Sequence, residues 1–218
     1  MDALERGRCA EAVEKLQRLV DNYPGSRLVA EAQYHLAEAY FCSEDYVNAA
    51  FEYQRLIQTY PSSQWVAEAQ FKIAECYYQQ ARRAELDQTE TRNALRHFRT
   101  FLDDNPHHPL VDKARERIAD CRNRLAYKTY LAARLYQRQN HRDAARIYYD
   151  QILNEYPDTR YYYKALYRMG EMAFARDDRQ TARRYWAEVA RDSDDEDLQR
   201  RAGERLAQVY ESFGETGN

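Results

Sequence analysis

Apolar positions recur along this chain with a helical period, and one arrangement of apolar residues appears five times. Each copy has a small residue, a large apolar residue four positions later and another three positions after that, so all three fall on one helix face. The copies are Ala12, Leu16 and Leu19; Ala49, Tyr53 and Leu56; Ala94, Phe98 and Phe101; Ala145, Tyr149 and Ile152; and Ala182, Trp186 and Val189. The pattern predicts five related amphipathic helices.

Prolines mark the spacing of these copies. The first four copies precede Pro24, Pro61, Pro106 and Pro157, and the fifth has no proline. The intervals are 61−24 = 37, 106−61 = 45 and 157−106 = 51, and the last two central rings are 186−149 = 37 apart. Repetition at this period indicates a solenoid of stacked helical hairpins, because one hairpin cannot bury its apolar face alone. We therefore expect an all-α, repetitive body whose function lies on a long surface.

The two longer intervals predict insertions. The excess of 51−37 = 14 residues is close to four helical turns, which predicts one long helix over 109–139 with its apolar stripe kept in register. The excess of 45−37 = 8 residues falls around 81–89. There Asp87 and Glu90 resemble a capping box, so a helix is expected to start at Asp87 or Thr89.

A terminal helix is predicted over Leu198–Phe213, because end repeats need a polar outer face. The preceding acidic run, Asp192–Asp197, suits the N-terminal dipole of that helix better than a calcium loop. The expected inward residues are Leu198, Ala202, Leu206, Val209, Tyr210 and Phe213, and the outward ones are Arg200, Arg201, Glu204 and Arg205.

Charge separates the two halves of the chain. Residues 1–108 hold 12 Lys and Arg against 17 Asp and Glu, or −5, whereas residues 109–218 hold 21 against 19, or +2. The total is −3, so nothing drives the whole chain toward nucleic acid. Two surfaces with different partners are therefore expected. No apolar run approaches the roughly 18 residues of a membrane span.

Catalytic and metal chemistry find no support in the spacing of residues. Cys9, Cys42, Cys76 and Cys121 form no paired motif, and Cys76 and Cys121 sit at repeat positions that predict buried packing. The histidines lack metal-ligand spacing, and the scattered glycines make no phosphate loop. We expect no catalytic residues, no metal, no cofactor and no enzyme activity.

The segments after the prolines also repeat, and here the chain resembles the tetratricopeptide repeat. That family places a large, a small and an aromatic residue at fixed offsets in the first helix of each hairpin. The matching triplets are Leu36, Ala37 and Tyr40; Ile73, Ala74 and Tyr77; Ala132, Ala133 and Tyr136; and Met169, Gly170 and Ala173, the last without its aromatic. The resemblance implies a right-handed superhelical solenoid of about five repeats plus a C-terminal capping helix.

The same resemblance implies a concave groove lined by the first helices. Two acidic and two aromatic residues per helix fall on that face, and the two sets superpose at 68−31 = 37. Aromatics that face one side suggest an exposed binding patch. We interpret this set as a client-peptide groove: Glu31, Tyr34, Glu38, Phe41, Glu68, Phe71, Glu75 and Tyr78.

A narrower resemblance rests on LDQTETRNALRHFRTFL, on the long ARERIADCRNRLAYKTYLAARLY segment and on the following YPDT. With these, most of residues 20–190 resembles the BamD family of outer-membrane assembly lipoproteins. The resemblance implies a scaffold on the periplasmic face of the outer membrane that receives unfolded outer-membrane proteins. It also implies contact with the β-barrel insertase and with other lipoproteins of the assembly machinery.

One feature departs from that family, whose members carry a signal peptide ending in a lipid-modified cysteine. This chain opens MDALERGRC, without an apolar stretch. We expect either that the anchor was removed or that the start codon is misassigned. Contact with the membrane is then expected only through a lipid anchor that this chain lacks.

The resemblance implies that clients and machinery bind at opposite ends. Residues 1–108 are expected to hold the client groove and residues 109–218 to form the docking lobe, with exposed docking residues Tyr161, Tyr162, Arg168 and Arg176. The alternatives are another periplasmic repeat adaptor resembling the Tol-Pal coordinator, or a generic peptide-binding repeat protein. An RNA-binding repeat is disfavoured, because the acidic groove would repel phosphate.

Overall fold

Ten helices and no strand make up the regular secondary structure of residues 9–24, 26 and 28–214, which are the residues that the computed structural model describes, with side chains as far as Tyr210. The helices are α1 Cys9–Asn22, α2 Val29–Cys42, α3 Tyr46–Thr59, α4 Val66–Gln80, α5 Thr89–Asp104, α6 Val111–Arg138, α7 Arg142–Glu155, α8 Arg160–Phe174, α9 Arg179–Asp192 and α10 Glu196–Gly214. The all-α repeat architecture predicted from the sequence is confirmed. Four hairpins, α2/α3 to α8/α9, lie between α1 and the terminal α10.

The recurring triplets occupy the interior, as their spacing predicts. In the second helix of every hairpin, the small residue, the ring and the following large residue are at most 1% exposed. Leu19 of α1 is the departure, at 37% exposed. The helix faces that the sequence indicated are therefore the faces that pack between hairpins.

A left-handed residue ends the first helix of three hairpins. Glu44, Asn140 and Asp177 have φ of 60°, 62° and 63°. They occupy the same position in their repeats, because their separations, 140−44 = 96 and 177−44 = 133, equal the separations of the central rings of the corresponding triplets. A residue with positive φ stops a helix and redirects the chain at once. In two of these turns the next residue, Asp45 or Asp178, caps the second helix through its carboxylate.

Both insertions lie where the sequence placed them. The long helix α6 spans 28 residues without interruption, as predicted for the 14-residue insertion. The other insertion leads into α5, which starts at Thr89. The capping box expected there is not formed, because no side chain caps the helix at Gln88; the Asp87 carboxylate instead accepts the Thr89 amide at 2.9 Å.

The chain forms two compact units, residues 1–121 and 122–218. In the first unit, two apolar clusters join α1 with α2 and α2 with α3 and α4. In the second unit, one cluster joins α6, α7 and α8 and another joins α8, α9 and α10. The units divide within α6, whereas the sequence placed the boundary between residues 108 and 109, before that helix begins.

The terminal helix follows the prediction in part. It begins at Glu196, and Leu198, Ala202 and Val209 are buried against α8 and α9. Tyr210 was expected inward and is 57% exposed, which corrects that expectation, because Val209 already occupies the inward position of that turn. The side chain of Phe213 lies outside the described residues, and so do residues 1–8, which precede Cys9 in the expected anchor region.

A disulfide joins Cys9 of α1 to Cys42 at the end of α2, with their Cα atoms 5.7 Å apart. The sequence spacing did not suggest this bond, because the partners are brought together only by the packing of the two helices. Cys76 and Cys121 take part in no disulfide among the described residues and are fully buried, in line with the packing role expected for them.

Candidate functional site

Ion pairs link the first helices of successive hairpins in the first unit. Glu38 of α2 lies 2.7 Å from Lys72 of α4, and Glu75 of α4 lies 2.7 Å from Arg117 of α6. The pairs repeat one another, since 75−38 = 37 and 117−72 = 45 equal the repeat intervals. Tyr53 also donates its hydroxyl to Glu38. The two glutamates therefore serve contacts between repeats.

Each of these cations also lies over a ring. Lys72 Nζ is 4.9 Å from the centre of the Phe41 ring, and the Arg117 guanidinium is 4.4 Å from the centre of Tyr78. Such contacts stabilise a cation by its attraction to the ring face. Phe41 and Tyr78 are half-buried under these cations. They form a mixed charged and aromatic surface rather than an open apolar groove.

The other two aromatics of the expected client groove are in the core. Tyr34 is 4% exposed and stacks on Trp65 at 4.5 Å, and Phe71 is 1% exposed and packs on Phe98 and Phe101 at 5.5 Å. Their exposure was predicted wrongly, because Trp65, just before α4, covers Tyr34 and the second helix of the same hairpin, α5, covers Phe71. Glu75 is buried as well.

The remaining acidic residues of that set are half-buried. Glu31 lies 3.8 Å from His35, and Glu68 hydrogen-bonds the hydroxyl of Tyr34. Burial, with the negative charges of Glu38 and Glu68, holds the pKa of Tyr34 well above its usual range. The tyrosine therefore stays neutral and acts as a hydrogen-bond donor in the core.

An open cavity of about 420 Å³ occurs on the corresponding face of the second unit. Its lining combines four tyrosines with three cations, and two aspartates and one leucine complete it. The lining residues are Tyr127, Tyr130, Tyr161, Lys164, Tyr167, Arg168, Asp195, Asp197, Leu198 and Arg201. We call this site the tyrosine cavity.

Stacked rings give the tyrosine cavity one firm wall. Tyr127 and Tyr161 stack with their ring centres 5.1 Å apart, and Tyr130 lies 5.6 Å from Tyr161 at a tilt of 42°. Tyr161 itself is 6% exposed, so its ring is fixed by the packing of α6 against α8. A rigid aromatic wall of this kind can hold a ring or an extended chain at low entropic cost.

Two cations of the tyrosine cavity lie over its rings. Arg201 lies 4.9 Å from the ring centre of Tyr167 and Lys164 lies 5.7 Å from that of Tyr161. Their carboxylate contacts are long, 3.9 Å from Lys164 to Asp195 and 3.7 Å from Arg201 to Asp197. These two cations are consequently held weakly enough to accept another anion.

Arg168 is held more firmly. It pairs with Glu171 at 2.6 Å. Burial acts to lower the pKa of its guanidinium, but the hydrogen bonds that it donates to Tyr130 and Glu171 outweigh burial and raise that pKa above the usual range. Glu171 also lies 3.6 Å from Arg205 of α10. This contact is the counterpart of the pair between Glu38 and Lys72 in the first unit, because 171−38 and 205−72 are both 133.

The tyrosine cavity uses the repeat positions that the sequence assigned to the client groove. Lys164 and Arg201 are 201−164 = 37 apart and occupy the position of Glu31 and Glu68, since 164−31 = 133. The sign of the charge at this position thus reverses between the units. The signal for this site is present in the sequence, because the spacing that relates Glu31 to Glu68 recurs between Lys164 and Arg201 in the second unit.

Comparison with known proteins assigns the chain to a family. The family model described as YfiO, outer membrane lipoprotein, matches residues 1–188. This chain belongs to the YfiO family. No curated protein matches it at the level required for a confident relationship.

Two solved structures are similar to this YfiO-family chain at low identity. A tetratricopeptide repeat protein from Parabacteroides merdae ATCC 43184 is 14% identical, with a TM-score of 0.40, over 100% of this chain and 90% of that one. BtubC (BKLC) from P. vanneervenii is 16% identical, with a TM-score of 0.32, over 97% of this chain and 85% of that one. Likenesses at these TM-scores carry no argument about function.

The four expected docking residues of this YfiO-family chain do not form one exposed patch. Tyr161 is buried and Arg168 is half-buried, and both line the tyrosine cavity. Tyr162 is half-buried and donates to Glu188 at 2.8 Å; burial, helped by that carboxylate, raises the pKa of Tyr162 to about 12. Only Arg176 is exposed, as expected, and it pairs with Asp143 at 2.6 Å. Exposure was predicted wrongly for the other three, because α6 and α9 pack over their side of α8.

The geometry of potential metal ligands is another feature of the described part of the YfiO-family chain. Among those residues, no group of three or more His, Cys, Asp and Glu is placed to hold a metal. Burial raises the pKa of the Cys76 thiol to about 12, which keeps it protonated and unreactive. Of the helices described above, none has the length together with the apolar character that crossing a bilayer requires.

Proposed function

We propose that this YfiO-family chain is a BamD-like, non-enzymatic adaptor of the outer-membrane β-barrel assembly machinery. It binds segments of unfolded outer-membrane proteins and docks to the barrel insertase and its accessory lipoproteins. The observation that carries the proposal is the tyrosine cavity on the repeat positions expected for client binding. Membership of an outer membrane lipoprotein family gives the cellular setting.

The chemistry of the tyrosine cavity suits an extended, aromatic-rich client strand. The half-buried Tyr127 and Tyr130, backed by the buried ring of Tyr161, offer ring surface for a client aromatic, while Lys164 and Arg201 can take a carboxylate of the client. Buried aromatic anchors typically carry about 2 kcal/mol each on truncation. Because neither cation has a close carboxylate partner, a client anion need not displace a strong ion pair.

The proposed location is the periplasmic face of the outer membrane, with a lipid anchor in the full-length protein. The disulfide between Cys9 and Cys42 supports an oxidising compartment, because such bonds persist in the periplasm and are rare in the cytosol. The family description supports association with the outer membrane.

Client binding can be tested with two charge-matched double variants. Lys164→Gln with Arg201→Gln alters the tyrosine cavity, and Glu31→Gln with Glu68→Gln alters the equivalent positions of the first unit. Binding of a fluorescent peptide from an aromatic-rich barrel strand would be measured by anisotropy. We expect the first pair to weaken binding about tenfold, with little effect of the second. Loss only in the second pair would return the client site to residues 1–108.

Docking can be tested by affinity capture of the full-length protein from envelope membranes after mild crosslinking. Recovery of a large barrel protein with periplasmic repeats is the expected result. Recovery of peptidoglycan-linked proteins instead would favour the Tol-Pal coordinator alternative and contradict the proposal. Both captures should be repeated with the Lys164→Gln and Arg201→Gln double variant, which is expected to keep its machinery partners.

A further inference from the structure

A second, smaller pocket lies in the second unit where α8 and α9 face α7. It has a volume of about 210 Å³. Its apolar part is formed by Met169, Met172 and Tyr185, and three arginines, Arg146, Arg176 and Arg184, belong to the same lining. We call this site the arginine-rimmed pocket. None of these six residues lines the tyrosine cavity.

The three arginines keep much of their charge available. All three are exposed. Arg146 lies 3.5 Å from Asp150 and Arg176 lies 2.6 Å from Asp143, and both pairs are solvent-exposed. Exposed pairs of this kind contribute little and exchange readily for another anion.

Arg184 differs from its two neighbours in the pocket. No carboxylate of the described residues lies within ion-pair distance of it; its guanidinium lies 5.3 Å from the ring centre of Tyr185. The one acid in the lining, Asp178, is already engaged, because its carboxylate accepts the amide of Thr181 at 3.1 Å and caps α9. The rim therefore carries a net positive charge, and within the described part of the chain the guanidinium of Arg184 is balanced only by its longer-range attraction to Asp178.

The size and the apolar part of the pocket restrict the occupant. Sites for small molecules usually enclose about 300–1,000 Å³. A cavity of 210 Å³ is below that range and suits a single apolar side chain. Methionines adapt their shape to such a side chain at low cost. Charged rims around an apolar centre are typical of protein docking surfaces.

We propose that the arginine-rimmed pocket docks an acidic segment of a partner protein, which inserts one apolar side chain and places carboxylates on either side of it. The complementarity of charge and the small apolar pocket carry this proposal. It deepens the docking half of the proposed function and rests on it. Its site is separate from the tyrosine cavity, so the two activities can be lost independently.

The test uses a defined probe, the capped peptide Gly-Glu-Glu-Leu-Glu-Glu-Gly carrying a fluorophore. Two control peptides replace the leucine by serine or all four glutamates by glutamine. The variants are Arg176→Gln, Arg184→Gln and their combination. Arg183→Gln is the matched control, because Arg183 is equally exposed on α9 but does not line this pocket. Circular dichroism checks that every variant is folded.

We expect each arginine variant to weaken binding of the leucine peptide about fivefold and the double variant about 25-fold. Arg183→Gln should change it less than twofold, and both control peptides should bind at least fivefold more weakly than the leucine peptide. Equal binding of the leucine and serine peptides, or equal loss with Arg183→Gln, would overturn the proposal. Arginine-dependent binding to phosphatidylglycerol vesicles without peptide binding would overturn it in favour of a lipid surface.

Failure of this inference and failure of the proposed function give different results. If the peptide does not bind but envelope capture still recovers the barrel protein, only the arginine-rimmed pocket is wrong. If the peptide binds and capture recovers no assembly partner, the docking chemistry stands and the proposed function falls.

Discussion

Replacing Gly170 by alanine should destabilise the second unit, although alanine is the better helix former. Gly170 lies in α8 and faces the indole of Trp186 in α9. A Cβ atom at this position would lie 2.8 Å from both Cδ1 and Cε2 of the indole and closer still to Nε1. Trp186 is 1% exposed and donates Nε1–H to the Tyr167 carbonyl at 3.1 Å, so the ring cannot yield without losing that bond.

The magnitude follows from three opposing contributions. A glycine-to-alanine change in a helix gains about 1 kcal/mol from propensity. Overpacking a filled core costs about 1–3 kcal/mol, and breaking the buried indole hydrogen bond costs about 1–3 kcal/mol more. The midpoints give an expected net loss of about 3 kcal/mol, which corresponds to a fall in melting temperature of about 9 °C for a chain of this size.

Gly203→Ala in α10 is the matched control, because nothing lies within 4 Å of a Cβ atom built there. That variant should gain about 0.5–1 kcal/mol. Urea and thermal unfolding followed by circular dichroism measure both changes. Adding Trp186→Phe to Gly170→Ala should recover part of the loss, because the two changes share one contact. Equal stabilisation by both alanines would refute the close approach of α8 and α9.

Three further predictions concern single contacts. Cys42→Ala should lower the free energy of unfolding of the first unit by about 3.5 kcal/mol in urea melts, from the chain entropy released by opening a loop of 33 residues to Cys9, and a reductant should then have no further effect. Burial, followed by the positive charge of Arg96, lowers the pKa of His97. The contribution of His97 to the free energy of unfolding should therefore be complete above pH 6.5 and fall below it, as the unfolded state gains a proton. His97→Phe should flatten this decline in unfolding measured over a pH series, and an unchanged slope would count against burial of His97. Glu75→Gln should cost about 2 kcal/mol by leaving Arg117 half-buried without its carboxylate, and a change under about 0.5 kcal/mol would show that the pair is not a structural link.

The sequence alone determined the repeating helices and their buried faces. The triplet of Ala145, Tyr149 and Ile152 could be assigned from spacing, because the three residues share a helix face whatever surrounds it. The uninterrupted α6 followed from the same rule, since an insertion of about four turns preserves the apolar stripe. Both inferences depend only on local periodicity.

Only the tertiary structure decided which groups on the first helices are free to bind. Tyr34 and Phe71 share the periodicity of a surface position, yet Trp65 covers Tyr34 and the rings of α5 cover Phe71. The disulfide, the ion pairs between repeats and the tyrosine cavity each join residues from different helices. Helical periodicity gives the direction in which a side chain points along its own helix, but the neighbour it meets depends on how adjacent hairpins pack.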